Sequence, residues 1–152
     1  LQTDARNLLN NPQIAKEVFG PAAMIVVCDS TDELFAVAES LAGQLTACVH
    51  GTEDDLQRFQ KLFGILQRKA GRLVINAFPT GVEVCPAMHH GGPYPATTDS
   101  RSTSVGTDAM QRFLRPVAYQ GFPQELLPEP LRDPNPQKIW RMVDGDMSCG
   151  DL

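Results

Sequence analysis

Between residues 22 and 78 the apolar positions follow two alternating rhythms. Largely unbroken apolar runs occur at Ala22–Cys28, Leu45–His50 and Leu73–Phe78. Runs of that kind suit strands buried on both faces, as in a parallel sheet. Between them, apolar residues recur at helical spacing. Leu34, Val37, Ala38 and Leu41 form one stripe, and Leu56, Phe59, Leu62, Phe63 and Leu66 form the next. Both helices carry start signals. Ser30-Thr31-Asp32-Glu33 is a capping box, and Thr52 has Asp55 three residues on. Gly43 and Gly71 stand where the two helices should stop. Strand, helix, strand, helix, strand at these lengths predicts a right-handed parallel α/β unit.

Outside that block the pattern thins. Leu1–Leu9 reads as a short helix with Leu1, Ala5, Leu8 and Leu9 on one side, ended by Asn10, Asn11 and Pro12. From Pro79 to Gly106 periodicity disappears. A loop of roughly 25 residues is well beyond ordinary connection length and is generally functional or disordered. Its glycines, prolines and aromatics favour the ordered, functional option. Thr107–Leu114 resumes as a helix, and Val117–Gln120 as a short strand. Pro123, Pro128, Pro130, Pro134 and Pro136 then predict an extended surface tail, with Ile139-Trp140 as its apolar anchor and a mobile last stretch.

Bulk properties narrow the function classes. At 152 residues the chain has the length of one domain, and its 42% apolar and 20% charged content is that of a globular protein. A net charge of −5 provides no basic stripe, which argues against nucleic acid. No run approaches the ~18 apolar residues of a membrane span. The four cysteines, Cys28, Cys48, Cys85 and Cys149, are scattered and form no CxxC pair. A reduced, cytoplasmic protein is therefore expected. The chain begins at Leu1, part-way into an apparent helix, which points to a piece of something longer.

Most candidate chemistry is weak. Cys85 with His89 and His90 fits no standard zinc spacing, and no metal is expected. Ser100, His90 and Asp99 could supply a hydrolase triad, but no Gly-x-Ser-x-Gly elbow is present. His50 ends an apolar run and reads as structural. The polar string Thr97–Gly106, with Arg101 as its only cation, is either a solvated linker or a hydrogen-bonded site loop. More informative is Glu17-Val18-Phe19-Gly20-Pro21, directly before the first apolar run. Gly20 permits unusual backbone angles and Pro21 fixes φ, so a rigid corner could aim Glu17 and Phe19 outward. The alternative is an ordinary turn carrying a surface glutamate.

Taken in order, these features resemble the C-terminal part of aldehyde dehydrogenases. The likeness rests on Glu17-Val18-Phe19-Gly20-Pro21, then β-α-β-α-β, then Val74-Ile75-Asn76, a glycine-containing loop, a helix and a last strand, and it runs from about Leu1 to Gln120. The loop departs from the family's common Pro-Phe-Gly-Gly-x-Lys-x-Ser-Gly, since lysine and the second motif glycine are missing. Asn76-Ala77-Phe78-Pro79-Thr80-Gly81-Val82, followed by Gly91-Gly92-Pro93-Tyr94-Pro95-Ala96-Thr97, resembles the branch acting on 2-oxoglutarate semialdehyde.

The resemblance implies roles for individual residues. Glu17 corresponds to the glutamate on the nicotinamide ribose hydroxyls, and Phe19 to the aromatic beside the nicotinamide. His90 stands where an aromatic often lines the aldehyde tunnel, and Arg101 joins it as a substrate-pocket candidate. The family's nucleophilic cysteine, its oxyanion asparagine and its general-base glutamate lie well before Glu17, which only sixteen residues precede here. No catalytic residue is therefore expected in this chain, which alone should be inactive. The resemblance implies NAD or NADP as cofactor, a small-molecule aldehyde substrate, the missing N-terminal part of the same enzyme as partner, and a homo-oligomer. It divides the chain into a catalytic α/β portion (1–106), a helix with an oligomerisation strand (107–120) and an extended Pro-rich tail (121–152). A non-catalytic α/β binding or assembly module is the alternative. A gene that continues upstream into a cysteine-bearing segment separates the two.

Overall fold

The computed structural model describes residues 1–79 and 81–152; Thr80, inside the Asn76–Val82 motif, lies outside them. The chain divides into two compact units, Leu1–Leu114 and Arg115–Leu152.

The first unit mixes helices with parallel strands, as the apolar rhythm predicts, but its strands form two small sheets. β1 (Gln2–Asp4) pairs in parallel with β2 (Ile25–Val27), and β3 (Gln44–Val49) pairs in parallel with β4 (Ala70–Ile75). Among the described residues the expected single three-stranded sheet is not formed. The first strand is hidden in a stretch whose leucines read as helical. There the Asp4 carboxylate accepts the Asn7 N–H at 2.7 Å, which caps a helix mid-stretch. α1 (Ala5–Asn10) starts only after that cap, and the residues before it stay extended. β2 is shorter than its apolar run because Ala22 turns back, its N–H donating to Gly20 O at 2.7 Å. Ile25 and Val27 face outward, so β2 is not buried on both faces.

Helix starts follow the caps. Ser30 Oγ accepts the Glu33 N–H to open α2 (Thr31–Ser40), while the Glu33 carboxylate reaches one residue further back, to Asp29 N–H at 2.8 Å. The Thr52–Asp55 box forms in both directions and opens α3 (Glu53–Arg58). The long apolar stripe is then split, because Phe59 leaves helical geometry before α4 (Gln60–Lys69). Ala38, Leu62, Ile65 and Leu66 make the core, with Leu34, Phe35, Ala47, Val49 and Phe59 packed on it.

Neither expected stop glycine ends a helix. α2 closes at Ser40, and Gly71 lies inside β4. Both are needed for close approach instead. A Cβ on Gly71 would sit 1.9 Å from Gly91 O, and one on Gly43 would sit 2.1 Å from Pro93 O. The long loop is thereby pressed against the starts of β3 and β4. At the other end of these strands Asn76, at φ 51°, receives the Gly51 N–H and donates to Gly51 O, both at 2.9 Å. Its side chain acts as one more rung of the ladder.

Thr107–Phe113 forms a 3₁₀ helix, not the α-helix expected from its apolar spacing. Met110 and Phe113 stay exposed, so no buried face rewards α-geometry.

The second unit is not the plain extended tail that its prolines suggest. Gln124–Leu126 and Glu129–Leu131 are 3₁₀ turns, and β5 (Arg141–Val143) pairs antiparallel with β6 (Asp146–Ser148). Asp144-Gly145 between them take φ values of 52° and 96°, the two-residue turn that Asp-Gly favours. Buried Asn135 ties the unit together. Its amide donates to Ile139 O and Cys149 O and accepts the Ile139 N–H. The Arg141 guanidinium binds the Arg132, Asp133 and Gly150 carbonyls. Val117–Gln120 is no strand within this chain, for a strand requires a partner edge and none of the described residues supplies one.

Candidate functional site

One face of the first unit carries a cleft of about 1040 Å³ whose polar lining includes Lys16, Glu17, Gln44, Thr46, Arg72 and His90. Lys16 and Glu17 follow the 3₁₀ turn Pro12–Ala15, which the Lys16 N–H closes onto Gln13 O. Gln44 and Thr46 come from β3, Arg72 from β4 and His90 from the long loop.

His90 is held through its backbone. Its N–H donates to Thr103 Oγ1 at 2.7 Å, and its carbonyl accepts both the N–H and the hydroxyl of Ser104, at 3.0 and 2.9 Å. The Thr103 hydroxyl, on a residue 4% exposed, donates in turn to Val105 O at 2.8 Å. The Ser/Thr string is therefore a hydrogen-bonded loop and not a solvated linker. With few apolar side chains, such a loop is ordered by satisfying backbone groups locally.

Of the four residues singled out from sequence, the structure brings Glu17 and His90 to one cleft. Phe19 lies on an adjoining smaller hollow with Val18 and Met24, and is 98% exposed. Arg101 belongs elsewhere, in a hollow with His89 and Asp108. Its guanidinium is almost fully exposed and lies 3.5 Å from the Asp99 carboxylate. The Arg101 backbone N–H is the main reason that carboxyl sits below its usual range. Asp99 thus serves Arg101 and not His90, and no triad with Ser100 is built. The corner at Gly20 does not use glycine's freedom: its φ is open to any residue, and a Cβ there would meet nothing within 4 Å.

No cysteine lines the cleft. Burial, then the Glu33 and Asp29 carboxylates, push the Cys28 thiol up, which keeps it protonated and a poor nucleophile. Among the described residues no three His, Cys, Asp or Glu side chains gather as a metal site. The cleft can orient a polar small molecule through a carboxylate, an imidazole and a guanidinium.

Arg72 and Thr46 are the site residues that the apolar rhythm passes over. The third strand reads most naturally from Leu73, which leaves Arg72 outside. An arginine amid Gly71-Arg72-Leu73-Val74-Ile75 was the available signal.

No family model matches the chain. It is 52% identical over 144 residues to alpha-ketoglutaric semialdehyde dehydrogenase 2 of Azospirillum brasilense, covering 95% of this chain and 27% of that protein. It is 53% identical over 145 residues to alpha-ketoglutaric semialdehyde dehydrogenase of Acinetobacter baylyi, covering 95% of this chain and 28% of that one. The chain is thus similar, along nearly its whole length, to a little more than a quarter of an alpha-ketoglutaric semialdehyde dehydrogenase.

Proposed function

We propose that this chain is the C-terminal part of an NAD(P)-dependent aldehyde dehydrogenase that oxidises 2-oxoglutarate semialdehyde to the acid. The observation that carries the reading is the likeness over 95% of the chain to two enzymes of that name. The presence of Glu17 and His90 on one cleft supports it. In this reading residues 1–106 belong to the catalytic α/β domain, 107–120 to an oligomerising segment and 121–152 to the tail. Val117–Gln120 gains its ladder from another subunit. The enzyme works in the cytoplasm as a homo-oligomer.

The residues present fit a nicotinamide ribose. The Glu17 side chain makes no hydrogen bond among the described residues, so both carboxylate oxygens are free to accept the two ribose hydroxyls, and the Phe19 ring is uncovered beside it. The dinucleotide, when bound, supplies the hydride acceptor. His90, fixed by Thr103 and Ser104, lines the aldehyde's side of the cleft. The thiolate that forms the thioester and the base that admits water lie upstream of this chain.

Two measurements test this. The chain alone, given the semialdehyde and either cofactor, should produce no reduced nicotinamide. In the intact enzyme, Glu17→Gln keeps shape and removes charge. Single-turnover cofactor reduction at saturating cofactor should slow about 10- to 100-fold, equivalent to about 1.4–2.8 kcal/mol. An unchanged rate would remove Glu17 from the site.

A further inference from the structure

The ladder between β3 and β4 sets Thr46 opposite Arg72 and Gln44 opposite Ala70. Residues of equal parity on neighbouring strands share a face. Gln44, Thr46 and Arg72 accordingly line the same cleft.

Arg72 is half-buried and short of partners. Nη1 donates to Gly81 O at 2.9 Å, and Nε is enclosed with no acceptor. Nη2 has no acceptor among the described residues, and Arg72 lines the cleft, so this edge of the guanidinium is the one available there. The ion pairs of the described residues are Arg68–Glu39 and Arg101–Asp99; neither involves Arg72. A guanidinium partly withdrawn from water without a counter-ion is costly, and a carboxylate against its open edge offsets that cost. Among the described residues the Thr46 hydroxyl has no partner, and the Gln44 amide makes only a long 3.4 Å contact with Ala42 O. Lys16 adds a second positive charge to the lining, and Glu17 is its one carboxylate.

We propose that Arg72, with Thr46 and Gln44, is a binding site for the carboxylate of a small organic acid. The Nη edge pairs with one carboxylate oxygen, and the Thr46 hydroxyl and Gln44 amide donate to the other. If the dehydrogenase reading holds, on which this identification rests, the ligand group is the distal carboxylate of the semialdehyde. Arg72 then determines specificity for acidic over neutral aldehydes.

The test has two arms. In the first, glutarate and 2-oxoglutarate are titrated into the chain while the Arg72 side-chain NMR signals are followed, with 1,5-pentanediol as neutral control. The diacids should bind and the diol should not. Arg72→Met should weaken binding about 10- to 100-fold, the range of a charge-assisted contact, and Arg72→Lys should weaken it less. Should Arg72→Met fail to fold, Thr46→Val keeps strand shape and should weaken binding several-fold. No diacid binding to the unmutated chain, or equal binding by folded Arg72→Met, overturns the site.

In the second arm the intact enzyme is compared on the semialdehyde and on pentanal. Arg72→Met should raise KM for the semialdehyde alone. An equal rise for both would show that Arg72 merely supports the turn at Gly81, and would overturn the specificity role. Diacid binding present in the chain but lost in the intact enzyme would assign the site to one of the enzyme's own carboxylates, which also overturns the proposal. Failure of the dehydrogenase reading itself is distinct: the unmutated enzyme would then oxidise neither aldehyde.

Discussion

The core of the first unit and the centre of the second bury opposite kinds of atoms. In Leu1–Leu114 the most enclosed side chains include Ala38, Leu62, Ile65 and Leu66, gathered where α2 and α4 cover β3. In Arg115–Leu152 the enclosed residue is Asn135, while Trp140, Met142 and Met147 lie in the open. One unit is ordered by removing hydrocarbon from water, the other by giving backbone carbonyls the donors that folding would otherwise deny them. The first mechanism leaves a repeating mark on the chain because a helix or strand must show the same face many times. The second leaves almost none, since one asparagine at the right place does the work of many residues.

Deleting core methylenes should break this contrast most visibly. Ile65→Ala, at a residue 2% exposed, is expected to cost about 2–5 kcal/mol, nearer the lower figure because so few side chains enclose it. Hydrogen exchange should show the loss at amides of α2 and α4. Loss of protection at Arg141–Val143 as well would mean that the two units do not differ as described.

The matching change in the second unit is Asn135→Ala. It removes two donors and an acceptor from a nearly enclosed position and should weaken local protection by about 2 kcal/mol. Exchange at Ile139 and across β5 and β6 should accelerate, and the α4 amides should not respond. Asn135→Leu, similar in size but apolar, should fare no better if hydrogen bonding is the cause. Rescue by leucine would return this unit to ordinary packing.

The smallest expected effect comes from acid. The Thr52 hydroxyl and backbone N–H hold the Asp55 carboxyl below its usual range. A depressed folded-state pKa stabilises the protein fully above the unfolded value and is lost as pH falls through the folded one. α3 should therefore fray at its start on acidification, while the Asn135 side-chain amide contacts, all made to backbone groups, persist. Backbone chemical shifts of Thr52–Asp55 followed against pH report this directly. Thr52→Ala should erase the pH response.

How much could be read beforehand follows the same division. Ser30 and Thr52 announced their helices, because a cap is a local bargain between residues three apart. The core stripe around Leu62 and Leu66 was legible for the same reason. Gly71 was misjudged because a glycine after Arg68-Lys69 looks like a helix stop, whereas its actual constraint is Gly91, twenty residues away in the chain. β1 was hidden because Gln2-Thr3-Asp4 has no apolar alternation and depends on β2 for its existence. Glu17 and His90 could be named from a resemblance, yet their meeting on one cleft, with Arg72 in the same lining, depends on the loop contact at Gly43 and Gly71. The hairpin turn at Asp144-Gly145 was a strong signal overshadowed by five upstream prolines.

Trp140 is the chain's single tryptophan, and it projects from the second unit. Its emission is therefore a local lamp. It starts red-shifted in the native protein and responds to whatever covers or quenches the hairpin. A fluorescence melt follows one unit, and far-ultraviolet dichroism, dominated by α2 and α4, follows the other. Running both on one sample turns an accident of composition into a two-channel readout of whether the halves of the chain come apart together.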